Sequence, residues 1–275
     1  MAGLLARPRF EVLPQRGAEA MVAEHVGREV KITVTAAPSR GLEPTLDLAE
    51  RLRARGFEAV PHLAARMLRD QARLGDVLAR VKAAGLREIF VVGGDSGHPA
   101  GPFPDALSLL EAIARLGPQP NSIGIAGHPE RHPLMDEAGA ARALGSKQHH
   151  AGYIVSNLSF DPVSVRRWVA RVRAQRVSLP IHVGVAGPVD AGRLLRISAR
   201  IGAGDSVRFL RGHGGWLRRA FRPGGYSPEG FLSGLLPELG APDQGVAGVH
   251  VFTFNEIEAT ETWRQALLAE LHAPA

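Results

Sequence analysis

The chain has 275 residues, 45% of them hydrophobic, with 33 lysines and arginines against 27 aspartates and glutamates, and it has no cysteine. That is enough apolar material for a substantial core, and the missing cysteine excludes a disulfide framework, a thiolate zinc centre and a catalytic thiol. The formal charge of +6 points to an anionic partner, whether nucleic acid, membrane surface or a charged small molecule.

The chain opens MAGLLARPRF, too short an apolar stretch for a signal sequence, and no later run approaches the roughly 20 apolar residues of a membrane span. A soluble, cytoplasmic protein is expected. Eight short apolar or β-branched runs follow, predicted as strands: Phe10 to Leu13, Val30 to Ala36, Glu58 to Leu63, Glu88 to Val92, Ser122 to Ala126, Tyr153 to Asn157, Ile181 to Val185 and Val249 to Phe254. Between them lie TLDLAERLRARG, QARLGDVLARVKAAG, FPDALSLLEAIARLG and PVSVRRWVARVRAQR, whose apolar residues recur at spacings of three and four, several closing on glycine as helices do. Strands alternating with helices imply a parallel sheet, and eight such units in this length predict a (β/α)8 TIM barrel, with a doubly wound sheet as the alternative. No linker or repeat divides the chain, so residues 1–275 are read as a single domain. Gly202 to Gly248 is longer than one helix needs, which predicts an extra helix or functional loop before the last strand.

Arginine gathers in two places. In Val165 to Arg173 the apolar Val165, Trp168, Val169 and Val172 share one helical face and most arginines the other, the pattern of a solvated helix. Ser206 to Gly225 mixes arginine with Phe209, Trp216 and Phe221. A non-enzymatic nucleic-acid-binding protein rests on these clusters alone, and no nucleic-acid module accompanies them.

In a barrel the chemistry belongs at the C-terminal ends of the strands. The polar residues there are Glu11, Thr35, His62, Asp95, His128 with His132, Asn157, and Asn255 with Glu256. Gly94-Asp95-Ser96-Gly97 matches the tetrapeptide around a chymotrypsin-like nucleophile, but it follows a strand of a βα series and not an antiparallel barrel. Neither a GxxxxGK[ST] nor a GxGxxG loop is present at a strand–helix junction. In His128-Pro129-Glu130-Arg131-His132 a proline occupies the second position of a would-be HExxH helix, and no metal site is expected. Glu11 lies inside an apolar strand, where burial would raise its pKa and suit it to general acid catalysis.

Taken in chain order, RFEVLPQRG, KITVTAAPSRG, FEAVPHLAAR, IFVVGGDSGHPAGPF, IGIAGHPERHP and GVHVFTFNEIEAT resemble successive motifs of the methylenetetrahydrofolate reductase family across nearly the whole chain. The resemblance implies a barrel that binds FAD, takes hydride from NAD(P)H and reduces 5,10-methylenetetrahydrofolate to 5-methyltetrahydrofolate. It implies Glu11 and Asp95 as catalytic residues, the first assisting protonation of the folate nitrogen and the second favouring the cation that follows. Thr35, His62, Gly93, Gly94, Asp95, His128, His132 and Lys147 would hold the cofactor, and Glu11, Asp95, Asn157 and Phe252 the substrate. A folate is then the expected partner, a homo-oligomer is compatible with the sequence, and neither nucleic acid nor membrane is expected.

The departures from the family pattern are specific. Gly93 stands for the arginine of Leu-Arg-Gly-Asp, Phe103 and His128 for tyrosines, Asn157 for a glutamine and Glu256 for an arginine, and an acid is missing near Ala141. They keep two alternatives open: direct hydride transfer from NADH to folate without flavin, and a folate- or flavin-binding barrel with changed one-carbon chemistry such as methyl transfer.

Overall fold

The computed structural model describes residues 1–36, 40–117, 120–130, 135–188, 227–239 and 244–273. Its eight strands are β1 (Arg9–Val12), β2 (Lys31–Val34), β3 (Ala59–Ala64), β4 (Glu88–Val92), β5 (Ser122–Gly127), β6 (Tyr153–Ser156), β7 (Ile181–Ala186) and β8 (Val246–Phe252). Each pairs in parallel with its neighbours in the chain, and β8 pairs back onto β1 through Arg9↔His250 and Glu11↔Phe252, closing the barrel. The predicted (β/α)8 architecture is the observed one, and the doubly wound alternative is excluded because an open sheet has no pairing between its first and last strands.

Helices α1 (Ala2–Ala6), α2 (Ala18–His25), α3 (Glu43–Ala54), α4 (Gln71–Ala83), α5 (Ala106–Arg115), α6 (Glu137–Lys147), α7 (Pro162–Ala174), α8 (Pro228–Leu239) and α9 (Ile257–His272) are the α-helices among the described residues. Several begin where an aspartate can take up an unpaired backbone N–H: Asp70 accepts from Arg73, Asp136 from Gly139, Asp161 from Val163 and Ser164, and Asp105 forms a reciprocal capping box with Ser108. On α7 the apolar face of Val165, Trp168, Val169 and Val172 is buried as its periodicity predicts. Two of its arginines, half-buried, also bond to the protein. Arg166 donates to the Gly234 carbonyl of α8, and Arg173 donates to the carbonyls of Val177, Leu179, Gln244 and Gly245, tying α7 to the entry of β8. Helix α8 lies within the long interval predicted before β8; the whole of the second arginine cluster, Ser206 to Gly225, lies outside the described residues.

Strand alternation separates two environments. Phe10, Val12, Ile32, Val34, Ile89, Val91, Ile125, Ile154, Val183, Val185, Val249 and Val251 face the helices and build the main apolar core. The opposite face, toward the barrel axis, holds smaller apolar clusters, one of Val60, Phe90, Tyr153 and Val155 and another of Ala186 and Phe254 with Phe252 against them. Between them lie the buried polar side chains of Arg9, Thr33, His62 and His250, unlike the branched aliphatic filling usual for such barrels.

Candidate active site

Arg9 and Glu11 share one face of β1, two residues apart, so both enter the barrel at successive levels. At the lower level Arg9 Nη1 donates to Glu88 Oε2 at 3.0 Å and to the Tyr153 hydroxyl at 3.1 Å, with its guanidinium 4.0 Å above the Tyr153 ring. Lys31 completes the group by pairing with the other Glu88 oxygen. Arg9 is 6% exposed, so this is an ion network inside the protein, and it holds the Glu88 carboxyl below its ordinary pKa: burial opposes, but the charge of Arg9 and the bond from Lys31 outweigh it. Gly124 makes room for the aromatic member, since a Cβ there would lie 2.3 Å from the Tyr153 ring.

One level up, Glu11 Oε2 lies 3.1 Å from His250 Nε2 on β8 and 4.0 Å from His62 Nε2 on β3. The two imidazoles are 1% and 6% exposed overall, and the Glu11 side chain 19%. Burial raises the Glu11 pKa, with His62 as a smaller opposing influence. Burial likewise lowers His62 to about 4 and His250 to about 3, the latter further depressed by the positive Arg9 below it. His182, on β7 near both levels, is lowered to about 3 by burial and then by Arg9. At neutral pH all three rings are therefore uncharged, and the same burial raises the pKa of the carboxyl among them.

Among the other residues predicted for the site, Phe252 pairs in register with Glu11 and packs edge-on against His250 with ring centroids 4.9 Å apart. Thr35 follows β2 with its hydroxyl buried and without a partner, while its carbonyl accepts from Thr45. Gly93 and Gly94 follow β4. Gly94 has φ +89°, and a Cβ on it would approach that of Ala64 at 3.1 Å; the chain turns there and presents Asp95 at the exposed rim, where partial burial still lifts its pKa. Lys147 donates to the Ala126 carbonyl at the end of β5, and burial lowers its pKa. Asn157 is exposed after β6, its side-chain oxygen accepting from the Leu158 N–H. His128 follows β5 and is half-buried, and His132 lies outside the described residues. The structure thus gathers Glu11, His62 and Phe252 and spaces Thr35, Asp95, His128 and Asn157 around the rim.

Asn255, noted above as a strand-end polar residue, bridges the seam of the barrel: its Oδ1 accepts from Leu13 N–H and its Nδ2 donates to Leu13 carbonyl, at φ +63°. Sequence reasoning missed His250, Arg9, Glu88, Tyr153 and His182. The available signal was parity, since Arg9 and His250 each lie two residues before a predicted site residue, Glu11 and Phe252, and so share its face. Among the described residues, no group of three or more His, Cys, Asp or Glu side chains is arranged to hold a metal, and no helix is long and apolar enough to cross a membrane.

The family pattern described as methylenetetrahydrofolate reductase matches residues 10–202, from β1 past β7. The chain belongs to the methylenetetrahydrofolate reductase family. Membership supports a folate-related oxidoreductase of one-carbon chemistry. Among solved structures the chain is similar to a "putative phosphonomutase from Burkholderia cenocepacia J2315", at 13% identity over 98% of this chain and 96% of that one, TM-score 0.53. It is also similar to a "putative deoxyribose-phosphate aldolase from Toxoplasma gondii ME49" in apo form, at 10% identity over 96% of each, TM-score 0.51. At those identities the likeness is one of fold alone.

Proposed function

We propose that the chain reduces 5,10-methylenetetrahydrofolate to 5-methyltetrahydrofolate with hydride from NAD(P)H, carried by FAD. The observation that carries the reading is Glu11, a carboxyl whose pKa burial raises, standing between two neutral imidazoles on the inner face of β1. The reaction needs a proton donor in the site at neutral pH. Glu11 gives its proton to the folate amine nitrogen as the C–N bond of the five-membered ring breaks, leaving an iminium cation on the other nitrogen. Hydride adds to the iminium carbon, making the methyl group, and the nicotinamide is oxidised. Asp95 at the rim favours the cation as a carboxylate, and Asn157 and Phe252 hold the pterin.

Two buried polar atoms that make no hydrogen bond, Thr35 Oγ1 and His62 Nε2, suit the carbonyls and ring nitrogens of a flavin, which when bound supplies a two-electron relay between nicotinamide and folate. His128, His132 and Lys147 would extend that surface, with Gly93 and Gly94 allowing close approach. Direct transfer from NADH is the second reading. It is favoured by Gly93, which offers no cation at the position of the family's arginine, and by Lys147, whose ammonium is already engaged by the Ala126 carbonyl.

Purified protein that is yellow, bleached by NADH and recoloured by methylenetetrahydrofolate supports the flavin route; colourless protein that oxidises NADH only with that folate supports direct transfer. Neither activity would sink both. Glu11→Gln is expected to slow folate reduction on the order of 100-fold or more with the fold retained, measured as turnover beside circular dichroism. An unchanged rate removes Glu11 from the mechanism.

A further inference from the structure

The contact between Glu11 Oε2 and His250 Nε2 at 3.1 Å requires one hydrogen between the two atoms, and the far side of the ring says which atom carries it. His250 Nδ1 is buried and has no hydrogen-bond partner. A buried N–H left without an acceptor is rarer in proteins than an acceptor left without a donor. The hydrogen of the neutral ring therefore belongs on Nε2, where it meets the carboxyl. The ring cannot turn to exchange the two nitrogens cheaply, being 1% exposed and packed against Phe252.

We infer that His250 is a positioning residue for Glu11: its Nε2–H donates to Glu11 Oε2, which confines the acid's own proton to Oε1, the oxygen that delivers it. The inference rests on the reading of Glu11 as proton donor given above. Among the described residues the polar contacts of the Glu11 carboxyl fall on Oε2, from His250 at 3.1 Å and His62 at 4.0 Å, so Oε1 is the oxygen left to hold a proton. Once that proton has gone, the same Nε2–H stabilises the carboxylate left behind.

The surroundings keep His250 a neutral donor. Arg9 on β1 and His182 on β7 lie near it, with Lys31 on β2 and Glu88 on β4 completing the charged groups of the lower level and His62 on β3 beside the carboxyl. Burial first, and then the charge of Arg9, oppose a second proton on the ring, which disfavours an imidazolium and carboxylate pair. Gly184, in register opposite His250 on β7, carries no side chain toward it.

Ring nitrogen chemical shifts of His250 in the unaltered protein, by 15N NMR, are expected to show Nε2 protonated and Nδ1 bare; the opposite tautomer overturns the inference. The Glu11 carboxyl stretch, assigned in the infrared by its loss in Glu11→Gln, gives the second readout. In His250→Leu the anion loses a donor, so the ionisation step of that band should move up by about one pH unit, about tenfold in the equilibrium. His250→Gln, whose amide can donate, should fall between. A merely structural role would lower the melting temperature and leave the step where it was, and an unmoved step in a folded variant rejects the proposal. Should His250→Leu not fold, the glutamine variant and the tautomer measurement still decide. None of these readouts requires turnover: the expected tautomer in a protein that reduces no folate would overturn the reaction and leave the pair standing.

Discussion

His62, His182 and His250 are held neutral inside the barrel, at about 4, 3 and 3 against an ordinary value of 6.5. A histidine whose folded pKa is depressed stabilises the native state fully above 6.5, and that contribution is lost as the pH falls toward the folded value, because the unfolded chain takes up the proton first. Each contributes a slope of about 1.4 kcal/mol per pH unit in that window, and the three are close enough to be coupled and so do not simply add. Thermal unfolding is therefore expected to show a marked loss of stability between pH 6.5 and pH 4, and His182→Gln should make that loss shallower. Glu11 acts in the opposite direction. Its raised pKa makes it stabilising at low pH, and that contribution disappears as the pH rises through the folded value, so Glu11→Gln should melt higher than the unaltered protein at alkaline pH. A profile in which these two variants leave both limbs unchanged would contradict the burial described for the site.

At the scale of the element, each strand brings one residue face to the helices and the other to the lumen, and the turn that follows sets what the rim presents. The end of β4 shows the constraint most sharply. Gly94 occupies the left-handed region at φ +89°, with Ala64 close on the side where a Cβ would point, and the next residue is Asp95. Gly94→Ala is expected to cost on the order of 1 kcal/mol from the backbone alone, read as a shift in the denaturation midpoint. Its effect on folate reduction should exceed the effect on stability, because relief of the strain moves Asp95. Equal losses would show that the turn serves the fold only. The strand and helix elements were legible in the sequence because periodicity is local: all eight strand segments predicted overlap the observed ones with ends differing by a few residues, and the three-and-four apolar spacing of the four segments singled out marks α3, α4, α5 and α7. The lower polar level was not legible, since Arg9, Lys31, Glu88 and Tyr153 come from four different strands and each looks like an ordinary strand-edge residue until the barrel closes.

For the whole molecule, closure is what turns those four residues into a network. Arg9 at 6% exposure bonds Glu88 and Tyr153 across the lumen, whereas Arg80 on α4, with a 30% exposed side chain, reaches Glu43, Asp47 and Glu50 on the surface. Removing one partner of a buried network leaves the others uncompensated, so Arg9→Met is expected to cost about 3 to 5 kcal/mol. Arg80→Ala should cost about 1 kcal/mol or less, screened by solvent and salt. Urea denaturation of the two variants checks the contrast, and similar losses would mean that the lumen is far wetter than its burial indicates. The seam where the barrel closes is held both by the β1–β8 pairing and by Asn255, whose side chain satisfies the backbone of Leu13.

The sequence by itself determined the alternation of strands and helices, the parallel barrel that follows from it, and the candidate rim residues, because each of these depends on local periodicity and on the rule that barrel sites lie at strand ends. It also carried the family resemblance, in motifs ordered along nearly the whole chain. Only the tertiary structure decided that Glu11 shares its carboxyl oxygen with His250, 239 residues away, and that a charged network underlies the pair. Those contacts join β1 to β8, β4 and β6, and which inward-facing residues meet is set by the register of the closed sheet, a property that no single segment of the chain contains.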